Sequence, residues 1–349
     1  MNKNAKVKDI ADALGISRNT VSKVLNGRYV PEKTRIAVLR KAEELNYKSM
    51  GNASLESNYS ILLLSGKPLS NIDYFLPIIR SLENACFQRN YRFFRSTLNK
   101  SANLGEQIKN IKESFNPDGI ICIEILDSDT ANKVIKLWIP TCFLDFPPDN
   151  VKAEDNYDIV IPSTYDFGEA IRTTIEKCHL KKATFVGDAS HCLTFQQRYV
   201  KLQASIISSG LSQCKECDII DRDGGVYTDI HKLKERIESK AMDSRLFVCA
   251  NDYIARQTVL ALKLLKKKVP EEVMVIGYDG SSDALNIKPT ITTANVDKEV
   301  YGVMVLETLL NRINNKIRKS TLSEFRVNIT YGDTLPKLWL IKYWFRLHW

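Results

Sequence analysis

A chain of 349 residues is longer than one average domain of about 150 residues, and a composition of 44% apolar and 26% charged residues is that of a globular protein. No apolar run approaches the roughly 20 residues that a membrane span requires. The net charge of +9 is concentrated at one end: residues 1–50 hold eleven Lys and Arg against five Asp and Glu, a net +6, and the rest of the chain only +3. That asymmetry points to a basic N-terminal module with a polyanionic partner.

The first 47 residues read as three short helices. "VKDIADAL" puts Ile10, Ala11 and Leu14 on one face and stops at Gly15, the residue type suited to a left-handed helix end. Ser17 follows as an N-cap for "RNTVSKVLN", whose Val21, Val24 and Leu25 form an apolar stripe,. Pro31 then stands in the first turn of "EKTRIAVLRKAEELNY", with Val38, Leu39, Ala42 and Leu45 facing inward,. As a helix-turn-helix, this unit presents Arg18, Asn19 and Lys23 to base edges, since Arg or Lys pairs with guanine and Asn with adenine in the major groove. Short donors at Thr20, Ser22, Asn26 and Thr34 suit phosphate contacts, which set register without reading sequence. The spacing alone fits equally the solvated polar face of a small helical hairpin.

Residues 48–58, "KSMGNASLESN", have the small polar composition of a linker. Beyond them, strands alternate with helices: "YSILLLSG", "YRFFRSTL", "GIICIEI" and "PTCFLDF" in one half, then "DIVIPS", "ATFVGD", "CDIID", "LFVCAND" and "VMVIGYD" in the other. Near-continuous apolar strands with helices between them predict an α/β fold of doubly wound parallel sheets in two lobes. Ligands in such folds bind at the carboxyl ends of strands, so polar residues just after each strand are the ones to inspect.

The N-terminus "MNKNAKVKDI" lacks the apolar core of a signal peptide, so export is not expected and a cytoplasmic, reducing setting is. The eight cysteines then read as free thiols. Only Cys214 and Cys217 have ligand spacing, and no second CxxC or HxxxH completes a zinc site; neither metal nor other cofactor is expected. GxSxG, HExxH, a P-loop and a dinucleotide glycine fingerprint are all missing, so an enzyme is not expected. The rival reading is a sugar-active α/β enzyme, or a solute-binding protein with no role on DNA.

The segments "VKDIADALGIS", "TVSKVLNG", "VPEKTR" and "VLRKAEELNY" closely resemble the N-terminal domain of the lactose/galactose repressor family of bacterial transcriptional regulators. The resemblance continues through "YFLPIIRSLENACFQRNY", "NPDGIICI", "CANDYIA", "VPEEVMVIGYDG" and "PTITTANVD", which are most similar to the effector domain of the purine repressor. It spans roughly residues 7–330. It implies a helix-turn-helix at 1–48, a hinge at 49–58, a two-lobed periplasmic-binding-protein-like sensor and dimerisation unit at 59–335, and an atypical tail at 336–349. It also implies a homodimeric repressor on a palindromic DNA operator, with a small-molecule effector such as a sugar or related metabolite in the interlobe cleft and no membrane partner.

Carried over by position, Arg18, Asn19 and Lys23 read bases, while Ser17, Thr20, Ser22, Asn26, Tyr29 and Thr34 lie at the DNA backbone. The effector site implied is Tyr74, Phe75, Phe146, Arg198, Asn251 and Asp279. Asp252 is read as either part of that site or a cap for the helix beginning there. The chain departs from the family in its linker, which is short: Leu55 of "NASLES" is the minor-groove wedge implied, and Gly51 weakens a helix there by roughly 1 kcal/mol relative to Ala. Lys201 stands where the family has glycine. The tail places Trp339, Trp344 and Trp349 close together, and with Lys342 and Arg346 among its fourteen residues it cannot span a bilayer.

Overall fold

The structure is a computed structural model that describes residues 6–25, 30–45, 47, 59–68, 72–99, 103–148, 156–315 and 319–336. Helices α1 (Val7–Leu14), α2 (Arg18–Leu25) and α3 (Glu32–Glu44) form the N-terminal unit. Their apolar stripes meet in a separate core of Ile10, Ala11, Val21, Val24, Leu25, Val30, Val38, Leu39 and Ala42. Gly15 ends α1 at φ 64°, with its own amide and that of Ile16 returning to Asp12 and Ala11. A side chain there would be strained in the left-handed region. Pro31 sits one residue earlier than the sequence suggests: α3 begins at Glu32, and the Pro31 carbonyl accepts the amides of Thr34 and Arg35.

Two parallel sheets follow. The first lobe contains β1 (Ser60–Ser65), α4 (Ile72–Gln88), β2 (Arg92–Thr97), α5 (Leu104–Phe115), β3 (Gly119–Ile123), α6 (Ser128–Ile135), β4 (Thr141–Leu144) and β5 (Tyr157–Pro162). The second contains α7 (Tyr165–Lys177), β6 (Ala183–Val186), α8 (Leu193–Ser208), α9 (Gly225–Thr228), α10 (Ile230–Lys240), β7 (Leu246–Cys249), α11 (Asp252–Leu264), β8 (Met274–Asp279), α12 (Ser282–Leu285) and β9 (Thr292–Asn295). The chain then returns to the first lobe with α13 (Lys298–Asn314) and β10 (Thr321–Phe325), and ends on the second with β11 (Asn328–Thr330). The sheet orders are β10-β5-β4-β3-β1-β2, all parallel, and β11-β9-β8-β7-β6, where only β11 is antiparallel. Three crossovers join the lobes, at 162–165, 295–298 and 325–328.

The α/β expectation of two doubly wound sheets holds, and its cause is visible in the alternation of the strands. In the first sheet, Ile61, Leu63, Ile121, Ile123 and Cys142 face α4 and α13 in one core. Leu62, Leu64, Ile120, Cys122 and Phe143 face α5 and α6 in another. Helices cover both faces, so both residues of each alternating pair must be apolar. β2 is the exception, an edge strand with Arg92, Arg95 and Thr97 exposed. The expected strand "CDIID" forms only a single bridge, from Ile219 to Val186, because Cys217 ends a 3-10 turn and Asp218 turns its carboxylate onto the Phe185 amide at 2.9 Å.

One ion pair in this framework is completely buried. Arg312 of α13 donates Nε and Nη2 to the two carboxylate oxygens of Asp158 on β5, at 2.7 and 2.9 Å, with both side chains 0% exposed. Asp158 also takes the backbone amide and hydroxyl of Thr321, which starts β10. The returning chain is thereby fixed to the sheet edge. Removing one partner of such a pair strands the other charge, so Arg312→Met is expected to cost about 3–5 kcal/mol, read from urea unfolding; a loss below about 1 kcal/mol would mean that Asp158 finds water when its partner goes.

Candidate DNA-reading helix and effector cleft

Ser17 caps α2 as its sequence suggests. The Ser17 hydroxyl accepts the Thr20 amide at 3.0 Å and lies 2.8 Å from the Thr20 hydroxyl. With Val21, Val24 and Leu25 buried against α1 and α3, the opposite face of α2 is left to solvent. Asn19 and Lys23, four residues apart, share that face and are exposed,, and Arg18, at the first position of α2, is exposed as well. Ser17 is exposed too, whereas Thr20, Ser22 and Thr34 are half-buried. Asn26, Tyr29 and the hinge residue Leu55 lie outside the described residues.

The second site is a cavity of about 190 Å³ between the lobes. Four of the expected effector residues plainly line it: Tyr74 and Phe75 at the start of α4, Arg198 on α8 and Asp279 at the end of β8. Asn251 lines it as well, but its side chain also caps α11, accepting the Ile254 amide at 2.9 Å. Phe146 is not brought to the cavity. Its ring is buried in the first lobe, stacked on Tyr157 with centroids 5.1 Å apart and edge-on to Phe143, and it is not among the lining residues. The segment after β4 turns at Asp145, φ 67°, and that reversal sends the carboxylate into the cleft and the next ring into the core.

Arg198 is 2% exposed. Its guanidinium carbon lies 3.7 Å from the centroid of Tyr278, Nη1 donates to the Ala250 carbonyl, and Nη2 lies 3.5 Å from Asp279 Oδ1. Nε has no hydrogen-bond partner among the described residues. Burial raises the Asp279 carboxyl above its ordinary range, against the opposing pull of Arg198 and Lys298. Behind it, Asp252 is fully buried and does not cap α11; it accepts the Ser281 amide at 2.8 Å and the Thr293 hydroxyl at 2.6 Å. Burial, with the Asp279 charge beside it, pushes Asp252 up to about 8.

The remaining lining residues were legible only as a rule, that polar groups following strands deserve inspection. Glu124 follows β3 and pairs with Lys67 at 2.7 Å. Asp145 follows β4 and reaches across the cleft: Oδ1 accepts the Thr194 amide at 3.1 Å, Oδ2 accepts the Thr194 hydroxyl, and the Phe146 carbonyl accepts the Leu193 amide at 2.8 Å. Thr194 and Arg198 are one turn apart on α8, so one helix supplies both the closing contact and the buried cation. Cys192, His191 and Phe195 complete that side, with burial holding the Cys192 thiol in its neutral form. No group of three or more metal-ligating side chains occurs among the described residues, and no described helix is long and apolar enough to cross a membrane.

Residues 6–49 match the family model "Bacterial regulatory proteins, lacI family", and residues 178–335 match "Periplasmic binding protein-like domain". The chain thus joins a lacI-type regulatory region to a periplasmic-binding-protein-like domain. The chain is 26% identical over 325 residues to the HTH-type transcriptional repressor PurR of Erwinia tasmaniensis, covering 92% of this chain and 94% of that one. It is 27% identical over 323 residues to the PurR of Haemophilus influenzae, covering 89% and 92%. Its fold is like that of the transcriptional regulator CelR in complex with cellobiose, with TM-score 0.67, 18% identity and coverage of 95% and 100%. It is likewise similar to the Lac repressor dimer bound to operator and the anti-inducer ONPF, with TM-score 0.64, 19% identity and coverage of 96% and 100%.

The Asp252 carboxyl sets a pH dependence of stability. Its folded pKa is raised, so the folded chain holds a proton that the unfolded chain releases, and the stability this contributes is present below about 4 and is lost as pH rises through about 8,. Urea midpoints of the wild type are expected to fall across that window, and those of Asp252→Asn to fall less steeply. Parallel slopes would remove Asp252 as the source.

Proposed function

We propose that this regulator represses transcription by holding an operator through the exposed face of α2, and that a small polar effector bound between the lobes controls the hold. Arg18, Asn19 and Lys23 read base edges in the major groove. Ser17, Thr20, Ser22 and Thr34, with Asn26 and Tyr29, set the register on the phosphates, and Leu55 enters the minor groove at the hinge. A homodimer on two related half-sites follows from symmetry, and such a protein works in the cytoplasm, where the DNA is. We read the cleft as binding its ligand without turning it over.

Arg198 carries the effector half of this reading. A guanidinium buried to 2% exposure with an unused Nε donor leaves a deficit that an acceptor oxygen of a ligand fills. Across the cavity, Asp279 accepts hydroxyls and the Tyr74 and Phe75 rings give an apolar wall. A cavity of about 190 Å³ falls below the 300–1,000 Å³ or so of drug-sized ligands, which suits one small ring, such as a monosaccharide. A ligand moves the equilibrium only as far as it binds the open and closed states unequally.

Selection of genomic fragments on the purified protein, followed by calorimetry with ribose, other monosaccharides, cellobiose and a purine base, tests both halves. Asn19→Ala is expected to cost about 1–3 kcal/mol at one operator position while nonspecific binding stays nearly intact; equal loss on every sequence would end its base-reading role. Asp279→Ala is expected to abolish the effector response with operator affinity preserved, and an unchanged ligand titration would take Asp279 out of the site.

A further inference from the structure

Lys298 lies behind the cleft wall and is not one of the residues that line it. Its Nζ donates to the carbonyls of Asp279 at 2.6 Å, Gly280 at 3.1 Å and Val296 at 3.1 Å, and stands 5.5 Å from the Tyr74 ring centroid. All three donors of the ammonium are thus used. The acceptors belong to different bodies: Asp279 ends β8 in the second lobe and Gly280 follows it, Val296 is in a crossover, and Lys298 itself opens α13, which packs in the first lobe. Gly280 has little room to shift, since a Cβ there would meet Asn295 Oδ1 at 2.0 Å.

A second observation concerns the residue before Asp279. The Tyr278 hydroxyl donates to the Ser163 carbonyl at 2.9 Å, in a different crossover, while its ring face carries the Arg198 guanidinium. Tyr278, Asp279 and Gly280 are therefore tied to two of the three crossovers, and they meet the cleft through Arg198 and Asp279. We infer that Lys298 is a positioning residue that sets the closed angle between the lobes, with Tyr278 bracing the other crossover. Hinges concentrate their backbone change in a few residues at element ends, and bonds from a first-lobe helix to a second-lobe strand change length when that angle changes. As a route from ligand to lobe angle, this coupling rests on the reading of the cleft as an effector site.

Closure can be read directly at the start of α8. The amides of Leu193 and Thr194 have no acceptor within their own helix and donate across the cleft to Phe146 and Asp145. Amide hydrogen exchange of the full chain, with no ligand added, is measured for wild type, Lys298→Met, Lys298→Arg and Tyr278→Phe. Lys298→Met is expected to speed exchange at Leu193 and Thr194 about tenfold, with Phe247 and Val248 in β7 near their wild-type rates. Lys298→Arg, which keeps the donors, restores slow exchange.

Unchanged rates at Leu193 and Thr194 in Lys298→Met overturn the inference, and so does parallel acceleration in β7, the sign of general destabilisation. If Lys298→Met does not fold, Tyr278→Phe takes its place: faster exchange at Leu193 and Thr194 alone supports the coupling, and unchanged exchange overturns it. No ligand enters the experiment, so a failed calorimetric panel, which counts against the effector reading, is distinguishable from a failure here.

Discussion

The cleft is organised around a buried guanidinium. Moving an unpaired charge out of water costs several kcal/mol, and Arg198, at 2% exposure, offsets that with whatever its neighbours can supply: the face of Tyr278, the Ala250 carbonyl and the Asp279 carboxylate. These come from the carboxyl ends of two adjacent strands of the second sheet, Tyr278 and Asp279 from β8 and Ala250 just after β7. The arrangement still leaves Arg198 Nε without a hydrogen-bond partner among the described residues.

The same edge carries a second buried charge problem with a different solution. Asp252 sits beneath Asp279 with two donors on its carboxylate, and burial favours its neutral form at ordinary pH. With one carboxyl largely protonated, the pair avoids two adjacent buried charges, and Asp279 keeps its charge for Arg198 and Lys298. The Asp158–Arg312 pair at the far edge of the first sheet has a mechanical role by contrast, tying α13 and β10 to β5.

Much of this was legible before any coordinates. The period-2 alternation of β1 and β3, the αL glycine at 15, the Ser17 cap and the apolar stripe of α2 are local signals, decided by residues within a few positions of one another. Arg198 and Asp279 were reached through family resemblance, and the cavity contains both. Phe146 lies away from the cavity because the backbone at Asp145, φ 67°, decides which of two adjacent side chains lines it, and φ at a non-glycine residue is not written in hydrophobic patterning. Asp145, Glu124 and Lys298 carry no local signal of their roles for a related reason: each bonds across the chain, Asp145 to Thr194, Glu124 to Lys67 and Lys298 to Asp279 and Gly280, and the only pattern available is that the first two follow a strand.

By itself, then, the amino-acid order determined the secondary structure of the N-terminal unit, the two-sheet α/β class and the exposed polar face of α2, because helix caps and alternating burial are short-range constraints. Tertiary structure alone decided that Thr194 closes onto Asp145, that Arg198 is buried with a donor to spare, and that Lys298 ties the end of β8 to a crossover. The first and last of those contacts cross between lobes or crossovers and the Arg198 contacts gather residues of α8, β7 and β8, and each joins residues too far apart in the chain for a local pattern to encode.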